Sequence, residues 1–134
     1  ALVTDAPCPD FVPMIEAGHC AADDPVVIKT VRESLRPIAE AGCEALLLGC
    51  THYGIIAAAI ENALPGVRLV AAADAAAAEL AGYLRENGLL SEAHTGDICF
   101  TSGAPEDFEA LAPLLLGGEL PELRYIPPMP TEVL

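Results

Sequence analysis

Three adjacent residues, Cys50, Thr51 and His52, could carry proton-transfer chemistry. They follow a short apolar run, residues 45–48, and precede a segment with helical spacing, so Cys50 is expected where a strand ends and a helix begins. A thiol at a helix N-terminus is favoured as the thiolate, because the helix dipole and free backbone N–H groups stabilise negative charge. His52 could pair with the thiol or with a substrate carboxylate, and Thr51 adds a hydroxyl. On these residues alone, a small packed thiol followed by an N-capping threonine is the other interpretation.

Glu16 and Cys8 are further candidates for the same site. Glu16 comes after the loop that follows a strand-like opening segment, residues 1–4. A carboxylate at the end of a neighbouring strand could orient His52 and hold its proton. A solvated surface glutamate is the alternative interpretation from spacing alone. Cys8 lies between two prolines and could also face the site, with a packed structural thiol as the competing interpretation.

Other kinds of site find no support in the sequence. Cys43, Cys50 and His52 lack the C-x2-C pairs of common zinc modules, and the two cysteines should lie at opposite ends of one strand, so no metal site is predicted. The absence of G-x-G-x-x-G, P-loop and G-x-S-x-G patterns leaves nucleotide binding and serine hydrolysis unsupported. Five cysteines without paired short spacings indicate reduced thiols. His19 and His94 lie in polar loops without evident partners and receive no role.

Charge and hydropathy narrow the range of partners. The 134 residues carry a net charge of −14, which disfavours nucleic acid and anionic membranes as partners. The sequence has neither the roughly 20-residue apolar run of a membrane-spanning helix nor the pattern of a signal peptide, so we expect a soluble, cytoplasmic protein. The chain opens at Ala1 without a methionine, directly in the strand-like segment, which we interpret as a cut within a longer protein.

The elements that must position these residues alternate between strand and helix patterns. Val27, Val31, Leu35 and Ile38 have helical spacing, in a helix that Asp24 should cap and Gly42 should end. The apolar run 45–48 is typical of a strand buried on both faces. Strands are predicted at residues 1–4, 45–48, 67–70, 98–101 and 123–126, and helices at 11–16, 25–41, 53–64, 74–87 and 104–115. This alternation predicts an α/β fold with a three-layer, doubly wound parallel sheet, in which ligands bind at the carboxyl ends of the strands.

Three blocks of the sequence resemble the glutamate racemases of the aspartate/glutamate racemase superfamily, and the resemblance extends over nearly the whole chain. Residues 8–16 are similar to the family's C-P-x-F-V-P segment, which ends in a glutamate. Residues 48–53 match its L-G-C-T-H-Y block, and residues 100–108 resemble its F-T-S-G-x-P-x-x-F stretch. The histidine after Cys-Thr favours the glutamate branch over the aspartate branch of the superfamily.

The resemblance implies a two-lobed α/β enzyme that interconverts L- and D-glutamate for peptidoglycan synthesis without a cofactor or metal. Two thiols on opposite sides of the substrate exchange the α-proton with inversion. Carried over by position, Cys50 is the acid/base that acts on L-glutamate, Thr51 and His52 contact the substrate, and Glu16 acts with His52 to tune the thiol. The second thiol lies in a C-N-T block of the N-terminal lobe, which is not part of this sequence. The isolated chain is therefore expected to be inactive.

The same resemblance predicts two parts of the chain. Residues 1–90 correspond to the second racemase lobe, and residues 91–134 form a segment that would return to the N-terminal lobe. The chain departs from the family at Gly54–Ile55, where P-L is usual, and at Ala71–Ala73, where D-S-G is usual. Two alternative functions are compatible with the sequence: a non-catalytic interaction module and a racemase for another acidic substrate. A homodimer is a further possible assembly.

Overall fold

A computed structural model of the chain describes residues 2–91, 93, 96–116, 118 and 120–128. His94, which the sequence left without a role, lies outside these residues. The chain separates into two compact units, Ala1–Leu90 and Ser91–Leu134. Which lobe of a larger enzyme each unit represents stays a prediction.

The first unit alternates helices with two parallel strands. Its elements in chain order are α1 (Phe11–Glu16), α2 (Pro25–Ala41), β1 (Ala45–Leu48), a 3₁₀ helix (Thr51–Ile56), α3 (Ala57–Ala63), β2 (Arg68–Ala71) and α4 (Ala72–Glu86). In the parallel pair, Ala45 lies opposite Arg68 and Leu48 opposite Ala71. Both strands therefore end at the same edge of the sheet. This arrangement confirms the predicted α/β class with parallel strands.

The boundaries of α2 agree with the signals in the sequence. The Asp24 carboxylate accepts a hydrogen bond from the backbone N–H of Val26 at 2.7 Å, and Gly42 ends the helix with φ of 63°. His19, for which no partner was evident from the sequence, also contacts Asp24, with 2.7 Å between Nδ1 and Oδ2. The contact with His19 and, to a smaller extent, the hydrogen bond from Val26 lower the pKa of the Asp24 carboxyl. The prediction that His19 has no partner was wrong, because the loop after α1 brings it to the N-terminus of α2.

The core of the first unit lies between its helices and one face of β1. The predicted stripe on α2 is confirmed, since Val27, Val31, Leu35 and Ile38 are between 0% and 4% exposed. Their buried partners come from α1, β1, the 3₁₀ helix and α3: Phe11, Met14, Ile15, Leu48, Ile56, Ala59 and Ile60. Burial of these aliphatic and aromatic side chains supplies the main driving force that fixes the helices around β1.

Two strand predictions need correction. Leu2–Thr4 is irregular in the structure, and Leu2 and Val3 are 97% and 79% exposed, because the segment does not pair with β1 or β2. Ala1 lies outside the described residues. β1 was predicted to be buried on both faces, yet Leu47 is 68% exposed. Leu46 and Leu48 point to the core, and the alternation of a strand turns Leu47 to the opposite face.

Helix boundaries also differ from the predictions near the site. The helix expected over residues 53–64 begins earlier and starts as a 3₁₀ helix before continuing as α3. The backbone N–H of Tyr53 donates to the Cys50 carbonyl at 3.2 Å, so the helical turn begins directly at the predicted thiol. No helix among the described residues is long and apolar enough to cross a membrane.

The second unit is a single β-α-β arrangement. β3 (Ile98–Thr101) and β4 (Glu122–Tyr125) pair in parallel, and α5 (Pro105–Leu116) connects them. The predicted elements are confirmed, with small shifts at the ends of α5 and β4. Phe100 and Tyr125 are each 55% exposed on these strands. The predicted return of this segment to another lobe stays a prediction.

Candidate active site

Cys50 follows β1 at the edge of the sheet where both strands of the first unit end. Gly49 separates it from β1, its backbone is extended, and its side chain is half-buried. Ligands of open parallel sheets bind at this edge. The structure therefore places Cys50 where the sequence predicted it.

His52 lies between Cys50 and Glu16. Its Nδ1 is 3.9 Å from the Cys50 Sγ, and its Nε2 is 3.4 Å from Oε1 of Glu16. The imidazole and the carboxylate are 37% and 55% exposed. An imidazole with a thiol on one nitrogen and a carboxylate on the other can exchange a proton with the thiol while the carboxylate stabilises the resulting positive charge.

Glu16 reaches this site as the last residue of α1, the helix predicted over residues 11–16. The helix has the predicted bounds, but the neighbouring strand that was expected to bring Glu16 close to His52 does not form. The segment before it forms no strand, and α1 instead packs through Phe11 and Ile15 into the core beside the 3₁₀ helix. The predicted neighbourhood of Glu16 and His52 is nevertheless present, and their roles stay predictions.

Two clefts meet at Cys50. One, of about 360 Å³, is lined by Cys8, Cys50 and Tyr53 together with the 4–7 segment and β1. The other, of about 250 Å³, is lined by Cys50, Thr51, Gly54 and Ala71–Ala73 at the ends of β1 and β2. Thr51 is exposed there, beside the thiol. A small ligand could thus contact Cys50 from either side.

The other cysteines have different surroundings from Cys50. Cys8 is buried in the core, where its thiol donates to the Ala6 carbonyl at 3.3 Å and burial raises its pKa. Burial and the Asp24 charge raise the pKa of Cys20. β1 lies between Cys43 and Cys50, and the described residues contain no cluster of three metal-ligating side chains. All five cysteines lie in the described part of the chain as free thiols.

Tyr53 is a contact residue of this site that the sequence reasoning did not single out. Its hydroxyl donates to the Cys8 carbonyl at 3.1 Å, and its ring packs edge-on against Phe11 with 5.0 Å between the centroids. Burial raises the pKa of the Tyr53 hydroxyl, and the charges of Cys8 and Cys50 raise it by smaller amounts. Its position directly after Cys-Thr-His was the signal available in the sequence.

Comparison with known proteins identifies the relatives of this chain. No protein-family profile matches it. It is 42% identical over 106 residues to a glutamate racemase of Thermus thermophilus, a match that covers 78% of this chain and 40% of the relative. It is 37% identical over 122 residues to a glutamate racemase of Acidothermus cellulolyticus, covering 88% of this chain and 46% of the relative. The chain spans less than half the length of these curated relatives.

Solved structures agree with the sequence matches. The crystal structure of Thermus thermophilus glutamate racemase in complex with β-chloro-D-alanine has a TM-score of 0.75 at 40% identity, over 90% of this chain and 46% of that one. The Francisella tularensis glutamate racemase in complex with D-glutamate has a TM-score of 0.76 at 30% identity, over 90% of this chain and 45% of that one. The predicted resemblance is thereby confirmed, and by sequence and fold this chain is a relative of the glutamate racemases.

Proposed function

We propose that this chain is the C-terminal half of a cofactor-independent glutamate racemase, in which Cys50 is one of two proton-transfer residues. The observation that carries the proposal is the row formed by Glu16, His52 and Cys50 at the carboxyl end of β1. It is supported by the relatives, which are glutamate racemases, and by the D-glutamate complex of the Francisella enzyme.

The proposed reaction needs a base on one face of the substrate and an acid on the other. The Cys50 thiolate removes the α-proton of L-glutamate and becomes a thiol as the Cα–H bond breaks. A second thiol, from a lobe outside this chain, donates its proton to the opposite face of the carbanion, which gives D-glutamate. To restore the starting state, the Cys50 thiol loses its proton to solvent and the second residue, now a thiolate, takes one up, so no other reactant is consumed.

His52 and Glu16 assist the Cys50 thiol in this proposal. The His52 Nδ1 lies 3.9 Å from Sγ and can accept the thiol proton before substrate is attacked. The Glu16 carboxylate, 3.4 Å from Nε2, stabilises the imidazolium that forms. Thr51 and His52 also contact the substrate, which occupies the clefts beside Cys50.

The same proposal assigns the wider role of the protein. D-Glutamate made by the complete enzyme serves peptidoglycan synthesis in the cytoplasm. The lobe that carries the second thiol is the expected partner, and a homodimer of the complete protein is a further prediction.

Proton NMR in D2O tests the proposed function directly. This chain is assayed alone and as a joined protein, in which the N-terminal portion of the Thermus thermophilus racemase precedes it. We expect loss of the α-proton signal of L-glutamate in the joined protein, and not in the chain alone. Cys50→Ala should abolish the exchange, while Cys99→Ala, in the second unit, should leave it intact. General acid–base catalysis contributes about 10²- to 10⁴-fold, so the loss should be unmistakable.

The competing function is a non-catalytic interaction module. It is favoured by the large apolar side chains exposed on β3 and β4, Phe100 and Tyr125. If the joined protein folds, as shown by circular dichroism, but exchanges the α-proton of neither L- nor D-glutamate, the racemase proposal is wrong and the module is supported. Exchange with L-aspartate and not with glutamate would identify a racemase for another acid.

A further inference from the structure

The site depends on two elements that are separate along the chain. His52 belongs to the 3₁₀ helix, whereas Glu16 ends α1. An ion pair in which both partners are about half exposed holds its own geometry weakly, because solvent screens the charges and both side chains are free to rotate. The 3.4 Å contact therefore requires that something else fix the 3₁₀ helix against α1.

Tyr53 makes the contacts that can do this. Its ring meets Phe11 at 74°, an edge-on packing in which Phe11, the first residue of α1, is 1% exposed. Its hydroxyl donates to the carbonyl of Cys8, in the turn that leads into α1. Tyr53 is thus joined both to the helix that carries Glu16 and to the chain immediately before it.

The contacts of Tyr53 also restrict Cys50 and His52, because these residues are close to it in the sequence. Tyr53 directly follows His52, so fixing the Tyr53 ring limits the backbone from which the imidazole extends. The Tyr53 N–H also donates to the Cys50 carbonyl at 3.2 Å, which ties the thiol-bearing residue to the same turn. The backbone segments that carry the Cys50 and His52 side chains are therefore both joined to Tyr53.

We propose that Tyr53 is a positioning residue that holds His52 against Glu16 through its contacts with Phe11 and the Cys8 carbonyl. This inference deepens the proposed function and rests on it for its catalytic meaning. Tyr53 itself transfers no proton. It acts through the Glu16–His52 pair, so its effect on turnover cannot exceed that of the pair.

The test measures the Glu16–His52 contact by proton NMR of the imidazole rings in this chain alone. Glu16→Gln should shift the His52 ring resonances, which His52→Gln identifies, and should leave those of His19 unchanged because His19 contacts Asp24 instead. In the Tyr53→Leu background the same substitution should shift the His52 resonances far less. Tyr53→Phe, which keeps the ring and removes the hydroxyl, should give an intermediate shift. Tyr83→Phe, at a tyrosine 58% exposed on α4, is the matched control and should have no effect.

Equal shifts on Glu16→Gln in the unmodified chain and in the Tyr53→Leu background would overturn the proposal, since the pair would then form without Tyr53. If Tyr53→Leu does not fold, Tyr53→Phe decides the question by itself. In the joined protein, Tyr53→Phe should lower kcat by no more than about fivefold, the limit set by an exposed ion pair, with little change in KM. That loss should vanish once Glu16 is replaced by Gln, whereas a purely structural loss would persist.

The two proposals fail separately. The NMR experiment needs no turnover, so a joined protein without exchange refutes the racemase but leaves the positioning role intact. Conversely, the positioning role is refuted, and the racemase proposal is not, by two results together. The exchange rate does not change on Tyr53→Phe, and Glu16→Gln shifts the His52 resonances equally with and without the Tyr53 substitution.

Discussion

Ile56 offers a test of how firmly the core holds the candidate site. It is the last residue of the 3₁₀ helix that carries His52, and it is 1% exposed in the core of the first unit. Removing one buried methyl group by Ile56→Val should cost about 0.5–1.5 kcal/mol, and Ile56→Ala about 2–5 kcal/mol, because lost burial and a residual cavity add together.

These magnitudes are large relative to the whole unit. The 90 residues of the first unit correspond to a stability of roughly 5–13 kcal/mol at 0.05–0.15 kcal/mol per residue. Ile56→Ala is therefore expected to leave a stability of roughly 0–11 kcal/mol, whereas Ile56→Val leaves roughly 3.5–12.5 kcal/mol and stays folded. In a unit of this size, Ile56→Val should lower Tm by about 2–12 °C, given about 4–8 °C per kcal/mol.

Thiol labelling of Cys8 provides an assay specific to this unit. Cys8 is 7% exposed in the same core, so labelling under native conditions requires that the unit open. Peptide-level mass spectrometry separates its labelling from that of the other cysteines. Ile56→Val should accelerate Cys8 labelling about 2- to 13-fold, the change in opening constant that corresponds to its predicted cost.

Leu80→Ala is the matched control, because Leu80 is 57% exposed on α4. It should change Tm and the labelling rate little, since exposed substitutions lie within about 0.5 kcal/mol. If Ile56→Val and Leu80→Ala gave the same labelling rate, the described packing of the 3₁₀ helix into the core would be wrong. This core would then not be what positions Cys50 and His52.

Three further predictions concern single residues of the first unit. Gly42→Ala should destabilise the unit by about 1–2 kcal/mol in urea unfolding, because Gly42 has φ of 63° and a side chain there meets no neighbour but strains the backbone. As the control, Gly82→Ala lies inside α4 without a close neighbour and should instead stabilise the unit by about 0.4–1 kcal/mol. The lowered pKa of Asp24 means that its stabilisation is present above the unfolded-state value of about 3.9 and is lost as the pH falls below it. Asp24→Asn, which keeps an N-cap acceptor, should reduce the change in the urea unfolding midpoint between pH 6 and pH 3. The same pH dependence in Asp24→Asn and in the unmodified chain would contradict this. Because burial raises the pKa of Cys8, its stabilising effect is full below the unfolded-state value of about 8.5 and declines as the pH rises above it, so Cys8→Ala should reduce the alkaline loss of stability in the same assay.

Local signals in the sequence predicted most of the elements. Asp24 and Gly42 mark the ends of α2 because capping chemistry is contained within a few residues, and the buried stripe between them follows from helical spacing. The strand 45–48 was recognised, but its exposed face was not. A run of consecutive apolar residues has no alternation from which the outward direction of Leu47 could be read.

The site was harder to predict than the fold because its contacts are not local. Cys50, His52 and Glu16 were singled out from their positions along the chain, and the helix that carries Glu16 was predicted, but the strand expected beside it does not form. The hydrogen bond from Tyr53 to Cys8 joins residues 45 positions apart, and no periodicity encodes such a contact. Tyr53 could therefore be recognised as part of the site only once the 3₁₀ helix and α1 were placed together.

The exposure of the site bears on how the proposed chemistry can occur. The α-proton of an amino acid is weakly acidic, so its removal by a thiolate depends on interactions that are strong only where water is excluded. In this chain the His52 and Glu16 side chains are 37% and 55% exposed, and Thr51 is exposed beside the thiol. A site this open can position the acid/base residues but cannot shield a carbanion. The second lobe of the proposed racemase therefore has two roles: it supplies the thiol on the opposite face of the substrate, and it covers Cys50. A joined protein with its second thiol removed should consequently still bind D-glutamate more tightly than this chain alone.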